Sequence, residues 1–465
     1  MGVGNRLTPR AAVLWLILGT AALRLALAAE LGLGIDESYM VVAGRGAFRL
    51  GYFDHPPIAW WLSHGAALLG GESAFVVRLP FVALFVGSTW LMFRLGAEVA
   101  SERAGLWAAV AFTLAPVFGV TSGGWVLPDG PLVCALLGMA LCVVRALRGP
   151  GWGWWLGCGA CAGLAMMSKY TAVLDIAGLG LFLMSTSERR RWLLRPQPWV
   201  AALVALAVFS PVLVWNAGNG FASLAFQGGR AAAARFQPFG PLITLGGEAL
   251  FLLPWIWAGL MLALWRGLRS GSVLAWMAWP AILLFVVVSL WSRQVLFHWA
   301  APGYLMLFPL LGAWLAERSW ALRAATWSGG LLLALLVLTV AETRLGLVPG
   351  DPLAQLRDWR SLHGALAGRG LPIAAVSWSD AGKIGVGLGP DIPIFCLNPD
   401  QREFRFASTP PTAGDVLIVA PRRSLAQLQQ AIGGSFASFE ALEPVQTAEA
   451  GIIPLYLGRT LRHWP

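Results

Sequence analysis

The sequence predicts a mainly α protein, a polytopic transmembrane bundle of about eleven helical spans with a small α/β domain at the C-terminus. Three observations predict it. The 465 residues are 57% hydrophobic and only 12% charged, about half the charged share of ordinary soluble domains. Apolar stretches of about 20 residues, enough to cross a bilayer core as a helix, recur with few interruptions. From about residue 342 the character changes to charges, prolines and short alternating segments. The chain therefore divides into a transmembrane domain over 1–341, with a long first outer loop at 34–75, and a soluble domain over 342–465.

Spans are expected near 11–33, 76–97, 104–120, 131–147, 152–167, 170–186, 199–215, 247–265, 273–291, 299–316 and 324–341. The first reads as an uncleaved span. Arg6 and Arg10 precede it, no small-residue cleavage site closes it, and Asp36 and Glu37 follow. The stretches on either side of Ser168, Lys169 and Tyr170 read as two spans or as a re-entrant turn.

Arginine placement sets the orientation. With the N-terminus inside, the inner loops hold Arg94 and Arg103, Arg145 and Arg148, Arg189 to Arg191 with Arg195, Arg266 and Arg269, and Arg318 and Arg323. That is the bias of the positive-inside rule, so the net charge of +10 reflects topology and no nucleic-acid partner is expected. The outer loops hold Asp36, Glu37, Asp54, His55, Asp129 and His298, and an odd number of spans leaves the tail outside, periplasmic in a double-membraned bacterium.

In the tail, 352–367 is helix-like, 371–377, 391–396 and 415–420 are strand-like, 424–432 is helix-like and 451–457 is extended. Together they suggest a small α/β domain. Five cysteines in apolar contexts give no disulfide framework, and the C-x-x-C of Cys158 and Cys161 reads as helix packing.

The residues that could carry chemistry cluster in the outer loops. Asp36 and Glu37 follow the first span, where a carboxylate can be partly desolvated yet reach water, as a catalytic base must; the alternative is that they mark a helix end. Asp54 and His55 stand before Pro56 and Pro57, whose fixed backbone suits a binding wall and also the start of an interfacial helix at 58–69. Asp129, between prolines at the mouth of the fourth span, is a second candidate acid or an N-cap.

Outer cations are few: Arg45, Arg49, Arg78, Lys169, Arg230, Arg235 and Arg293, with His298 nearby. An anionic headgroup would need some of them. Lys169 sits between apolar spans, where an unpaired cation is expensive, and reads as a partner of a phosphate or an acid, or as snorkelling. Arg24, inside the first span, reads as a structural ion pair within the bundle.

The acid pair after the first span, D-H-P-P in the same loop, P-D-G-P at 128–131, S-K-Y-T-A at 168–172, P-V-L-V-W-N at 211–216, FASLAFQGGR at 221–230 and H-W-A-A-P-G-Y at 298–304 together resemble a bacterial family 39 glycosyltransferase of the GT-C class. The class is related to the lipid A aminoarabinose transferase and the protein O-mannosyltransferases. The resemblance implies a sugar donor on a polyprenyl phosphate, a hydroxyl acceptor, Asp36 as base and inversion at the anomeric carbon. Lys169, Arg230, Arg293 or His298 would stabilise the leaving phosphate. In the related aminoarabinose transferase pattern a lysine stands near the position of His55, so the phosphate contact differs here. A divalent cation between Asp36, Asp54 and Asp129 suits oxygen-rich chemistry, and the choice between a metal and no cofactor stays open.

The leading expectation is thus an inverting membrane glycosyltransferase in a bacterial inner membrane, moving a sugar from a polyprenyl-phosphate donor to an outer-leaflet acceptor. Lipid A, lipopolysaccharide or another cell-envelope glycan would be that acceptor. A lipid or glycan transporter or flippase without transfer activity is the alternative, opposed by the lack of inverted repeats. A non-catalytic scaffold presenting the tail is the third.

Overall fold

The computed structural model describes residues 7–46, 48–149, 151–230, 235–292, 296–348, 353–447 and 451–465. It contains α1 (Pro9–Glu30), α2 (Ile35–Ala43), α3 (Ile58–Gly70), α4 (Ala74–Val99), α5 (Glu102–Leu114), α6 (Asp129–Ala146), α7 (Trp152–Met166), α8 (Ala172–Met184), α9 (Ser187–Arg190), α10 (Pro196–Gly218), α11 (Ala222–Arg230), α12 (Gly240–Leu252), α13 (Pro254–Ser270), α14 (Val273–Val288), α15 (Ala301–Leu305), α16 (Phe308–Leu315) and α17 (Ala321–Leu345). There follow α18 (Ser361–Leu366), β1 (Ile373–Ala375), α19 (Trp378–Leu388), β2 (Ile394–Cys396), α20 (Phe404–Ala407), β3 (Val416–Val419), α21 (Leu425–Ile432), β4 (Phe436–Thr447) and β5 (Gly451–Leu461). Two compact units result. One comprises Met1–Arg24, Leu50–Ala59 and Phe81–Leu333, the other Leu25–Arg49, Trp60–Pro80 and Ala334–Pro465.

Among the described residues α1, α4, α6, α10 and α17 are each long and apolar enough to cross a membrane, and α12 with α13 makes a sixth if the bent pair is one span. Three of the expected spans are interrupted near proline. The stretch expected as one span at 247–265 bends by 112° between α12 and α13, where Leu253 takes φ +69° and Pro254 lacks the N–H that would continue the helix. The stretch at 299–316 divides into α15 and α16, each with proline in its first turn. That at 104–120 leaves α-geometry at Leu114 and, past Pro116, winds a π-turn over Val117–Ser122.

The core of the first unit is apolar and close-packed. The rings of Phe112, Phe118 and Phe308 meet at centroid distances of 5.3 to 6.0 Å. Helices α7 and α10 approach so closely that a Cβ on Gly159 would lie 2.3 Å from the Ala201 carbonyl oxygen, so glycine there is a condition of the packing. Cys158 is buried among these helices as a free thiol. Arg24 differs from the expected ion pair. Its guanidinium donates to the carbonyls of Thr20 (2.9 Å) and Gly119 (2.7 Å) and lies 4.0 Å from the Phe85 ring centroid, so backbone dipoles and a π-face take the place of a carboxylate.

The second unit is built on a five-stranded sheet in the order β2-β1-β3-β5-β4. The strand β1 is parallel to β2 and β3, whereas β5 is antiparallel to β3 and β4. The strand-like segments and the helix-like 424–432 of the tail occupy β1, β2, β3, β5 and α21, whereas the helix expected over 352–367 is reduced to a 3-10 turn at Ala354–Leu356 and the short α18. β4 and α19 were not expected. β4 alternates poorly and carries Pro444 at a register shift between Leu442 and Val445, a position where a missing N–H is tolerated. α19 contains Gly382, Gly385 and Gly387, weak helix formers that burial against α2 and a Ser377 cap override.

Candidate active site

In the first unit the site is assembled from separate segments of the backbone. Residues 50–59 carry Asp54 and His55, and the two prolines after them stiffen the chain before α3 begins at Ile58. This segment is pinned on both sides. The Ile58 N–H donates to the Met167 carbonyl at 3.2 Å, the Gln227 amide donates to the Asp54 carbonyl, and the rings of Phe53 and Phe226 stand 4.8 Å apart. Asp54 is buried and His55 half-buried.

Lys169 ends the turn after α7, where its own N–H and that of Ser168 both donate to the Ala165 carbonyl. That turn aims the side chain at the first residue of α6. The Lys169 ammonium donates to Asp129 Oδ1 at 2.9 Å and Oδ2 at 3.2 Å, with both side chains mostly buried. Asp129 caps nothing with its side chain, since Pro128 occupies the N-cap. His55 and His298 act electrostatically on Asp129, and Asp54 acts on Tyr170. Tyr170 Oη and Ser223 Oγ share a hydrogen bond of 2.7 Å. The fold thus gathers His55, Asp129, Lys169 and His298 from distant parts of the chain.

Tyr170, Ser223 and Gln227 were not singled out as candidates. All three lie inside stretches whose family resemblance was legible as whole motifs, and only the fold separates their side chains into contacts. Chemically, an ammonium anchored by one carboxylate with two imidazoles nearby suits an oxyanion. Lysine has three donors, so binding Asp129 does not exhaust it, and charge-assisted bonds to phosphate oxygens are among the strong ones.

In the second unit the acid pair splits. Asp36 is exposed in the first turn of α2, whereas Glu37 is 2% exposed. Glu37 Oε2 accepts from the Gly34 N–H at 2.9 Å, and Arg78 holds both carboxylate oxygens at 2.8 and 2.6 Å. Arg78 also donates to the carbonyls of Leu31 (2.7 Å) and Gly32 (2.9 Å). Glu37 is in this way tied into the frame of the α2 N-terminus. Two other arginines weighed as headgroup cations are paired as well, Arg45 with Glu72 at 2.5 Å and Arg49 with the fully buried Glu403.

Arg293 and the side chain of Arg230 lie outside the described residues. Among those described, no group of three or more His, Cys, Asp or Glu side chains is placed to hold a metal ion.

Residues 54–215 match the family model described as dolichyl-phosphate-mannose-protein mannosyltransferase, and the match includes Asp54, His55, Asp129 and Lys169. A comparison with curated proteins finds no match. Among solved structures, ArnT from Cupriavidus metallidurans bound to undecaprenyl phosphate is similar with a TM-score of 0.65 and 17% identity, over 96% of this chain and 98% of that one. The apo state of ArnT gives a TM-score of 0.64 and 16% identity, over 96% and 97%. The chain is thus similar to that family over residues 54–215 and shares the fold of ArnT over nearly its whole length, a multi-pass helical membrane architecture with a small sheet domain at the C-terminus.

Proposed function

We propose that the chain is an inverting membrane glycosyltransferase that takes a sugar from a polyprenyl-phosphate donor and transfers it to a hydroxyl of an outer-leaflet acceptor, lipid A, lipopolysaccharide or another cell-envelope glycan. The observation that carries this reading is the cluster of Lys169, His55 and His298 about Asp129, of which all but His298 lie inside the stretch that matches the dolichyl-phosphate-mannose-protein mannosyltransferase family. Its fold neighbour ArnT was determined with undecaprenyl phosphate bound, which supports the same lipid carrier here. The membrane is in this reading the bacterial inner membrane, and the arginine bias in the loops supports placing the outer loops and sheet domain on its periplasmic side.

In this reading the Asp36 carboxylate takes the proton of the acceptor hydroxyl as its oxygen attacks the anomeric carbon. The bond from that carbon to the phosphate oxygen breaks, its electron pair stays on the phosphate, and the products are the glycoside and the polyprenyl phosphate. Attack opposite the leaving group inverts the configuration. The departing phosphate already carries charge, so the cations around Asp129 stabilise it better than a general acid would. Glu37 serves by holding the turn that presents Asp36, and Asp54 and His55 line the donor side. Asp36→Asn tests the assignment: transfer should be lost while the protein still folds and binds donor, and full activity in that variant sinks the role of Asp36.

A further inference from the structure

Of the 33 basic residues only Lys169 and Lys383 are lysines, and both are buried. Lys169 belongs to the cluster already described. Lys383 lies in α19 at 3% exposure. Its ammonium donates to the Leu33 carbonyl at 2.8 Å and the Arg357 carbonyl at 2.7 Å, and stands 5.6 Å from the Trp359 ring centroid. Leu33 directly precedes Gly34, the N-cap of α2, so this bond falls at the base of the turn that carries Asp36.

The neighbouring backbone is held with equal closeness. The Gly32 N–H donates to the Leu356 carbonyl at 2.7 Å. Helix α2 lies on α19 so tightly that a Cβ on Gly382 would stand 2.7 Å from the Tyr39 backbone. Burial pushes the Lys383 ammonium down to about 8, against the pull of Asp358 and Glu37 and with the help of Arg78. A buried cation costs folding free energy, and an apolar side chain of similar length would fill the space more cheaply. What the ammonium supplies instead is a two-point tie between carbonyls of separate segments. A compact ammonium suits two carbonyls converging on one atom, whereas a guanidinium spreads its donors over a plane.

We infer that Lys383 is a positioning residue for Asp36: its ammonium fixes the backbone at Leu33, and with it the first turn of α2, from a helix of the C-terminal part of the chain. The inference rests on the reading of Asp36 as the base. It also gives the sheet domain a part in the chemistry, as the support of the helix that bears that base.

The test uses the full chain in nanodiscs, with Lys383→Met and, independently, Gly382→Ala, which crowds α2 from α19 without touching the charge. Amide hydrogen exchange across residues 31–43 should rise in both variants while β3 and β5 stay protected. Turnover with whichever polyprenyl-phosphate sugar serves the wild type should fall about 10- to 100-fold, with KM for the donor within about twofold, the signature of a displaced reacting group. Unchanged exchange in these variants overturns the inference. So does raised exchange with unchanged turnover, or a loss confined to KM. If Lys383→Met does not fold, Lys383→Arg, which keeps the charge but spreads its donors over a plane, decides on the same readouts. If the wild type transfers from no donor, the functional reading fails separately, and exchange alone decides whether Lys383 fixes α2.

Discussion

Arg78→Met attacks the frame of α2 at its most buried point. The Arg78 and Glu37 side chains are 4% and 2% exposed, and the substitution removes two charge-assisted bonds to the carboxylate and two to the carbonyls of Leu31 and Gly32. Removing one partner of such a pair leaves the other charge buried, which costs about 3–5 kcal/mol, far above the ~0–1 kcal/mol of an exposed pair. Glu37→Met should cost a similar amount. The double variant Arg78→Met/Glu37→Met should cost well under the sum, with a coupling of about 2–3 kcal/mol, because no charge is then stranded. The assay is thermal or denaturant unfolding in detergent of the wild type and three variants, followed by exchange at α2. A cost under about 1 kcal/mol for Arg78→Met, or additive single losses, refutes the claim that this pair anchors α2.

Three further outcomes follow from named contacts. Lys169→Met should weaken donor binding by about 2–5 kcal/mol, read by displacement of a labelled polyprenyl phosphate, because it strands Asp129 and removes the central cation. Tyr170→Phe deletes the 2.7 Å bond to Ser223 and the hydroxyl's contact with Asn216, and should cost about 1–2 kcal/mol of stability in the same unfolding assay. Lys383 sets a pH dependence. Its ammonium is held at about 8 in the folded chain against 10.5 ordinarily, so from pH 8 to 10.5 the unfolded chain binds more proton than the folded one. The burial penalty is therefore present in full below pH 8 and lifts as pH rises, by up to about 3 kcal/mol. Unfolding measured across that window should show this rise in the wild type and lack it in Lys383→Met.

The fold class was legible because long apolar stretches, and the change to short mixed segments after about residue 342, are written in composition and order. Helix continuity was less legible: hydropathy sums over a stretch and does not register that Leu253 and Pro254 turn the axis. In the tail, short apolar runs marked β1, β2 and β3, whereas β4 hid behind Pro444 and α19 behind its glycines. The candidate site shows the same division. Adjacent acids Asp36 and Glu37 look equivalent in sequence, and only helix geometry sends one to solvent and the other to Arg78. Lys169 and Asp129 were each visible as costly polar groups near apolar spans, but their pairing depends on two turns forty residues apart in sequence. Lys383 gave no local motif. Its signal is scarcity, one of two lysines in a chain that otherwise uses arginine.

The most direct test of the central claim is transfer itself. Purified chain in nanodiscs is incubated with a panel of radiolabelled polyprenyl-phosphate sugars and a total outer-membrane lipid extract, beside the Asp36→Asn variant. The account predicts that label from one donor moves into a lipid or glycan fraction with inverted anomeric configuration, and that Asp36→Asn abolishes the movement. Transfer at full rate in Asp36→Asn, or movement of intact labelled donor across the bilayer with no sugar transfer, contradicts it.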